Sequence, residues 1–205
     1  MTLRVAFLHV GQAPELPLRM LASVQEHLGV PTIQMSGMDD AALGSGLVQR
    51  LPWNGKQLME YRLRHLAALS EGDVIILDTD IIVQADIGKV FGLPFELALT
   101  VRDKPVLDSQ GVDLARVMPY NTGVMFSRCR RFWVACREWL VAQPSGAWEW
   151  YGDQMAVAAL ADRYDVLKLH CDNFNYSPES EQEDVKNRLV VHYKGERRKA
   201  WMLNR

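Results

Sequence analysis

Apolar and polar positions along the chain switch between two periods, and the switches predict its elements. Val74-Ile75-Ile76-Leu77 is an unbroken apolar run behind the turn signal Glu71-Gly72-Asp73. It is rich in β-branched residues and reads as a strand buried on both faces, as in a sheet covered by helices. Further strands are predicted over residues 4–10, 32–35, 81–84, 96–101, 122–127, 165–169 and 189–193. Helical spacing of Leu18, Leu21, Val24 and Leu28 predicts a helix over 16–28. The same period, carried by Leu58, Tyr61, Leu66 and Leu69, predicts a helix over 56–69. Phe132, Trp133, Cys136, Trp139 and Leu140 mark a third helix over 130–143, and a fourth is expected over 152–163. Segments 36–53, 102–119 and 171–178 read as loops, the first two with room for a helical turn, and a turn or helix is expected near 86–91. The last strand is followed by a basic tail. This succession of strands and helices points to a doubly wound α/β sheet. With no repeat and no low-complexity linker, one domain over 1–205 is expected.

Composition narrows the function classes. With 205 residues the chain can bury a full core, and its 48% hydrophobic and 23% charged content is that of a globular protein. A net charge of −2 gives no sign of a strongly basic nucleic-acid binder. Cys129, Cys136 and Cys171 form no disulfide or zinc pattern, and the i, i+7 spacing of the first two suits one helix face. A reducing compartment, hence the cytoplasm, is expected. The first residues lack signal-peptide order, and no apolar stretch is long enough to cross a bilayer.

The chemistry gathers at five places. The central apolar run ends in Asp78-Thr79-Asp80 before Ile81-Ile82-Val83 resumes. Two carboxylates one residue apart at the end of a buried strand are costly unless compensated. They can approach a hard divalent cation together and leave its other positions to phosphate oxygens. Ligands of open α/β sheets bind beyond the carboxyl ends of the strands, which is where these acids lie. Later come Tyr120-Asn121-Thr122-Gly123-Val124-Met125, Gly152-Asp153-Gln154, Asn173-Phe174-Asn175-Tyr176, and His192 with the tail Tyr193-Lys194-Gly195 to Trp201. An Asn beside a glycine can donate to and accept from a sugar hydroxyl. Each place also has a plain structural reading: an acidic turn, a turn before a strand, a helix cap, a surface turn, a packed strand-end histidine. Trp53, Trp148, Trp150 and Tyr151 could stack on sugar, although aromatic residues are more often core.

In this order, the set D-x-D, N-x-G-V-M, D-Q, F-N-Y and H-Y-x-G followed by K-x-W resembles glycosyltransferase family 8, which holds glycogenin and the bacterial lipopolysaccharide α-galactosyltransferases. The resemblance runs from about Val5 to Trp201. It implies a GT-A-type nucleotide-diphospho-sugar transferase fold, with a central mostly parallel sheet flanked by helices. It also implies a UDP-sugar donor, Mn2+ or Mg2+, and retention of anomeric configuration. By that resemblance Asp78, Asp80 and His192 are metal ligands, and Arg62 and Thr79 contact the donor. Asn121, Asp153 and Gln154 surround the transferred sugar, the last two as catalytic residues. Gly195 and a following cation clamp the diphosphate. The family tail is His-x-x-Gly-x-x-Lys-Pro-Trp; here Arg198 stands at the lysine's distance and Lys199-Ala200-Trp201 one residue later. Either Arg198 takes the lysine's role, or the loop bulges by one and Lys199 does. Where the family carries an Asp and a Tyr or Asn after the first strand, this chain has His9-Val10-Gly11-Gln12, so His9 and Gln12 take the donor-binding place. The chain is short, with little room for acceptor-binding additions, and the acceptor is not readable.

Aspartates and one histidine suit manganese or magnesium better than thiol-seeking metals. Retention admits two routes: a covalent intermediate, for which Gln154 is a poor nucleophile, or attack by the acceptor hydroxyl on the face that the diphosphate leaves. The second is preferred. Two alternatives remain at this stage: a haloacid-dehalogenase-like phosphatase with Asp78 as nucleophile, and a non-catalytic nucleotide-sugar-binding subunit.

Overall fold

The computed structural model describes residues 2–44, 46–102, 104–107, 111–148 and 151–204, the side chains of residues 147 and 148 excepted; Trp150 lies outside them. Its centre is β4 (Val74–Leu77), buried along its whole length. Val74 and Ile76 point into one apolar cluster, Ile75 and Leu77 into the other. This is the period-two alternation of a strand with both faces covered. Each full burial of such a side chain contributes about 1.5–3 kcal/mol.

Around it, β1 (Arg4–Leu8), β2 (Thr32–Ser36), β3 (Leu47–Arg50), β6 (Leu97–Val101), β7 (Tyr120–Ser127) and β8 (Val166–His170) complete a seven-stranded sheet. Its order is β3-β2-β1-β4-β7-β6-β8. Strand β7 runs antiparallel to both its neighbours, and the other pairings are parallel. Met20 and Val24 of helix α1 (Glu15–His27) belong to the cluster on one face. On the other face lie α2 (Leu58–Ala68), α3 (Arg130–Val141) and α4 (Gly152–Leu160), through Leu63, Leu66, Phe132, Cys136 and Val157.

A second, two-stranded sheet pairs β5 (Ile81–Val83) antiparallel with β9 (Val190–His192), and Ile81 stands opposite His192. It packs with α1 on the first face; Val190 and Val191 join the same cluster. Because β5 follows the Asp-x-Asp turn directly, this pairing carries the end of the chain to the end of β4.

Four expectations need correction. Segment 36–53 contains β3, an edge strand bonded only to β2; its Gly-rich lead and half-exposed pattern hid it. The basic tail is a helix, α6 (Glu196–Asn204), held by Met202 in the core. The loop 171–178 opens with one short helix, α5 (Cys171–Phe174). In α1 the buried face is Pro17, Met20 and Val24, so Leu18 is exposed at 46%. The three cysteines form no disulfide with one another, and Cys129 and Cys136 are buried, the first just before α3 and the second within it.

Candidate functional site

Asp78, Asp80 and His192 each present one ligand atom, and the three atoms lie within 4.8 Å of one another. His192 Nε2 is 3.0 Å from Asp80 Oδ1 and 3.7 Å from Asp78 Oδ2. The ladder between β5 and β9 sets this distance, helped by the Tyr193 amide donating to the Asp80 carbonyl at 2.8 Å. Burial pushes the Asp78 carboxyl up, against the pull of Arg62 and His192. At Asp80 burial acts the same way, but His192 and then Lys199 outweigh it and hold the carboxyl below its ordinary value.

The other ring nitrogen of His192 is already engaged. Nδ1 lies 2.7 Å from Asn175 Oδ1. The Asn175 amide orientation is fixed because its Nδ2 donates to Thr100 Oγ1 at 2.9 Å, while that hydroxyl donates to the Asn121 carbonyl at 2.8 Å. Nδ1 therefore carries a proton, which leaves Nε2 as the ring atom turned toward the two carboxylates. Two carboxylates and a ring nitrogen converging in a buried corner need positive charge among them, from a proton on Nε2 or from a bound cation. The donor set of two carboxylates and one imidazole thus fits a hard or borderline divalent cation such as Mn2+ or Mg2+.

Gly123 makes room for that imidazole. A Cβ built there would lie 2.4 Å from His192 Cε1 and 2.6 Å from Nδ1. The Gly123 carbonyl in turn accepts from the Asp78 amide at 2.9 Å. Asn121 turns inward, its Oδ1 accepting from the Gly123 amide at 3.0 Å, and is 6% exposed. The N-x-G stretch is therefore partly a packing device for the histidine.

Beside the triad lies a buried ion network. Arg62, 5% exposed, donates to Asp153 Oδ2 at 2.6 Å, to Asp78 Oδ1 at 2.8 Å and to the Thr122 carbonyl at 2.9 Å. Desolvation lowers the guanidinium pKa, but the two aspartates outweigh it and raise it. Asp153, 2% exposed, also accepts from Thr122 Oγ1 and from the Gln154 amide. Gln154 sits half-buried at the edge, its Oε1 taken by Arg102, whose Nε donates to the Met118 carbonyl.

The tail closes the rim. Gly195 adopts φ +83°, open chiefly to glycine, and its carbonyl accepts from the Arg198 and Lys199 amides as α6 begins. Arg198 donates from Nε to the Pro178 carbonyl at 2.6 Å. Lys199 bonds Glu196 at 3.1 Å and acts electrostatically on Asp80. Burial, then Arg102 and Arg198, pull the Lys194 ammonium below its ordinary value, so three cations share this corner.

At the far side, His9 is buried at 7% exposure; burial lowers its pKa against Asp40. Gln12 is exposed, and Thr79 is half-buried in the turn between the acids. Asp40 ties the two loops there, accepting from the Gly11 and Gly37 amides. Thr100, Arg102 and Asp40 stand in no chemically marked motif of the sequence, while Thr122 and Lys194 lie inside marked stretches without a role of their own assigned there. Along the outer face of α4 runs an apolar groove of about 610 Å3, lined by Leu114, Val117, Met118, Trp139, Tyr151 and Met155.

No protein-family model matches the chain, and no curated protein sequence matches it. Solved structures do. The glycosyltransferase GlyE of Streptococcus pneumoniae TIGR4 superposes with a TM-score of 0.65 at 17% identity, over 98% of this chain and 62% of that one. The present chain thus spans less than two thirds of that relative's length. The galactosyltransferase LgtC, solved with donor and acceptor sugar analogs, gives 0.60 at 13% identity over 94% of this chain and 87% of that one. A glycosyltransferase involved in glycosylation of the major capsid of PBCV-1 gives 0.67 at 15% identity, over 98% of both chains. The chain has the GT-A-type fold of these glycosyltransferases, as the ordered motifs led one to expect.

Proposed function

We propose that this protein is a metal-dependent, retaining glycosyltransferase of hexosyltransferase type. It would move a sugar from a nucleotide-sugar, UDP-sugar in class, to an acceptor. The observation that carries this reading is the convergence of Asp78, Asp80 and the Nε2 of His192 at the carboxyl end of β4. On this reading those three residues hold Mn2+ or Mg2+, which when bound supplies the positive charge that makes a diphosphate a competent leaving group.

The chain's own residues do the rest. Lys199, with Lys194 and Arg198 near it, balances the diphosphate charge at the mouth of the site. His9 and Gln12, on the loop after β1, take the nucleoside side. Arg62 fixes Asp78 from behind, and Asp153 holds Arg62 there. Gln154 and Asn121 border the sugar. The bond from the anomeric carbon to the diphosphate oxygen breaks as the acceptor oxygen bonds to that carbon from the same face. The acceptor's proton passes to a phosphate oxygen of the leaving diphosphate. Burial supports this route over a covalent intermediate. The Asp153 oxygens accept from Arg62, Thr122 and Gln154, so that carboxylate is not poised to attack. The groove beside α4, lined by Met118 and Met155, is assigned to the acceptor side.

The test is a screen of nucleotide-sugars for Mn2+-dependent donor hydrolysis, with Asp80→Ala as control, then mass spectrometry of acceptors offered the active donor. Hydrolysis of one UDP-sugar that stops with EDTA and in the variant supports the reading. Equal UDP affinity with and without EDTA would sink it. Tight UDP binding with Mn2+ but neither hydrolysis nor transfer would favour a non-catalytic binding subunit.

A further inference from the structure

We infer that Asn175 is a positioning residue that selects which nitrogen of His192 reaches the metal, and that the register break between β6 and β7 helps to hold it. This inference rests on the metal-site reading above and extends it to residues outside the three ligands. A histidine can ligate through either ring nitrogen, and its partner on the other nitrogen decides which. Here that partner is an amide oxygen at 2.7 Å rather than a carboxylate or a backbone carbonyl. An amide can be turned over, which would present an N–H to Nδ1 and leave the proton on Nε2, aimed at Asp78 and Asp80. The structure blocks that flip. Asn175 Nδ2 points at two acceptors, Thr100 Oγ1 at 2.9 Å and the Asn121 carbonyl at 3.5 Å. The Thr100 hydroxyl has given its own proton to the Asn121 carbonyl, so it can only accept from Asn175. Asn175 is 2% exposed and Thr100 fully buried, so water does not compete for these bonds.

The backbone is shaped around this chain of bonds. The register between β6 and β7 shifts between Leu99 and Thr100, and the Thr100 side chain lies against Asn121 and Asn175 at that shift. The residues unpaired with β6, 122–124, belong to β7, and the break sets Thr100 opposite Asn121. On the other side, the His192 amide donates to the Tyr176 carbonyl at 2.7 Å and the Tyr176 amide to the Val190 carbonyl at 3.1 Å, fixing Asn175 beside β9. The F-N-Y stretch is thus the support of the histidine.

The experiment measures Mn2+ binding alone, by titration calorimetry and by the EPR signal of free Mn2+, on the full chain without donor. Asn175→Asp keeps an oxygen acceptor for Nδ1–H and, with the Thr100 hydroxyl turned to donate to its second oxygen, should bind within about threefold of wild type. Asn175→Leu should weaken Mn2+ about 10–100-fold, the usual range for loss of such a partner. Thr100→Val, which keeps the side-chain shape but frees the amide to turn, should fall between them and guards against a misfolded leucine variant. In the Mg2+-loaded wild type, long-range 1H–15N spectra should show the His192 proton on Nδ1. Wild-type Mn2+ affinity in Asn175→Leu, equal losses in the Asp and Leu variants, or a proton on Nε2 would each overturn the inference. His192→Ala keeps the two readings apart: if it binds Mn2+ as wild type does, the metal site itself fails; if it loses Mn2+ while Asn175→Leu does not, only the positioning role fails.

Discussion

Single residues at this site are held by contacts that leave little slack. Gly123→Ala adds one methyl where His192 ring atoms stand 2.4 and 2.6 Å from the Cβ position. The backbone there is ordinary strand, so the imidazole has to yield. Mn2+ affinity should drop at least about tenfold, as for a lost ligand support, and stability by about 1–3 kcal/mol from overpacking. Calorimetry and urea unfolding on the one variant check both. Arg62→Met tests the ion network. It strands Asp153 and part of Asp78 without their cation, with Asp153 almost wholly buried. Breaking such a pair costs about 3–5 kcal/mol, whereas removing both charges can be nearly neutral. Urea unfolding should show the single variant strongly destabilised and Arg62→Met/Asp153→Leu partly restored. If the double variant is no more stable than the single, the network is not a compensated pair.

Between elements, the β5–β9 ladder and α6 divide the work of the tail. Arg198 spends its donors on the carbonyls of Pro178 and Lys194, which fastens α6 to the loop after α5. Lys199, one position on, bears on Asp80 instead. Arg198→Ala should therefore lower the melting temperature with a small change in UDP affinity. Lys199→Ala should weaken UDP by about 1.5–3 kcal/mol, the range for a hydrogen bond to a charged group, and leave melting unchanged. Thermal melts and UDP titrations with Mn2+ on both variants decide it; the reverse pattern would assign the clamp to Arg198.

Across the whole molecule, acid stability should be set in part by a histidine outside the Asp78–Asp80–His192 cluster. His65, fully buried in α2, accepts at Nδ1 from Gln49 of β3 at 3.0 Å. Burial, then Arg64, push its pKa from 6.5 to about 4. Because the folded value lies below the unfolded one, the unfolded chain binds the proton first on acidification. Stability is therefore level above pH 6.5, falls as pH drops from there, and has lost its full share near pH 4. Two and a half pH units set an upper bound of about 3 kcal/mol. His65→Gln should flatten urea-derived stability across this window while the wild type slopes; parallel slopes would remove His65 as the cause.

Much of this was legible in the chain itself. The period-two burial of Val74–Leu77, the helices at 16–28, 56–69 and 130–143 and the ordered motifs all rest on local pattern, and local pattern is what a sequence displays. Strand β3 was not legible, because an edge strand with one neighbour needs only a weak apolar signal. Helix α6 was hidden because charge dominates its composition and a few residues, Met202 and Trp201, attach it. The order of the acids and the histidine could be read from the residues, but their meeting was reached only through the family resemblance: it depends on β5 pairing with β9 across more than a hundred residues, which tertiary packing alone decides. So do the inward turn of Asn121, the burial of Asp153 against Arg62, and the bond from Asn175 to His192. Each joins polar groups from separate elements, and a polar residue in a sequence carries no mark of the distant partner that will satisfy it.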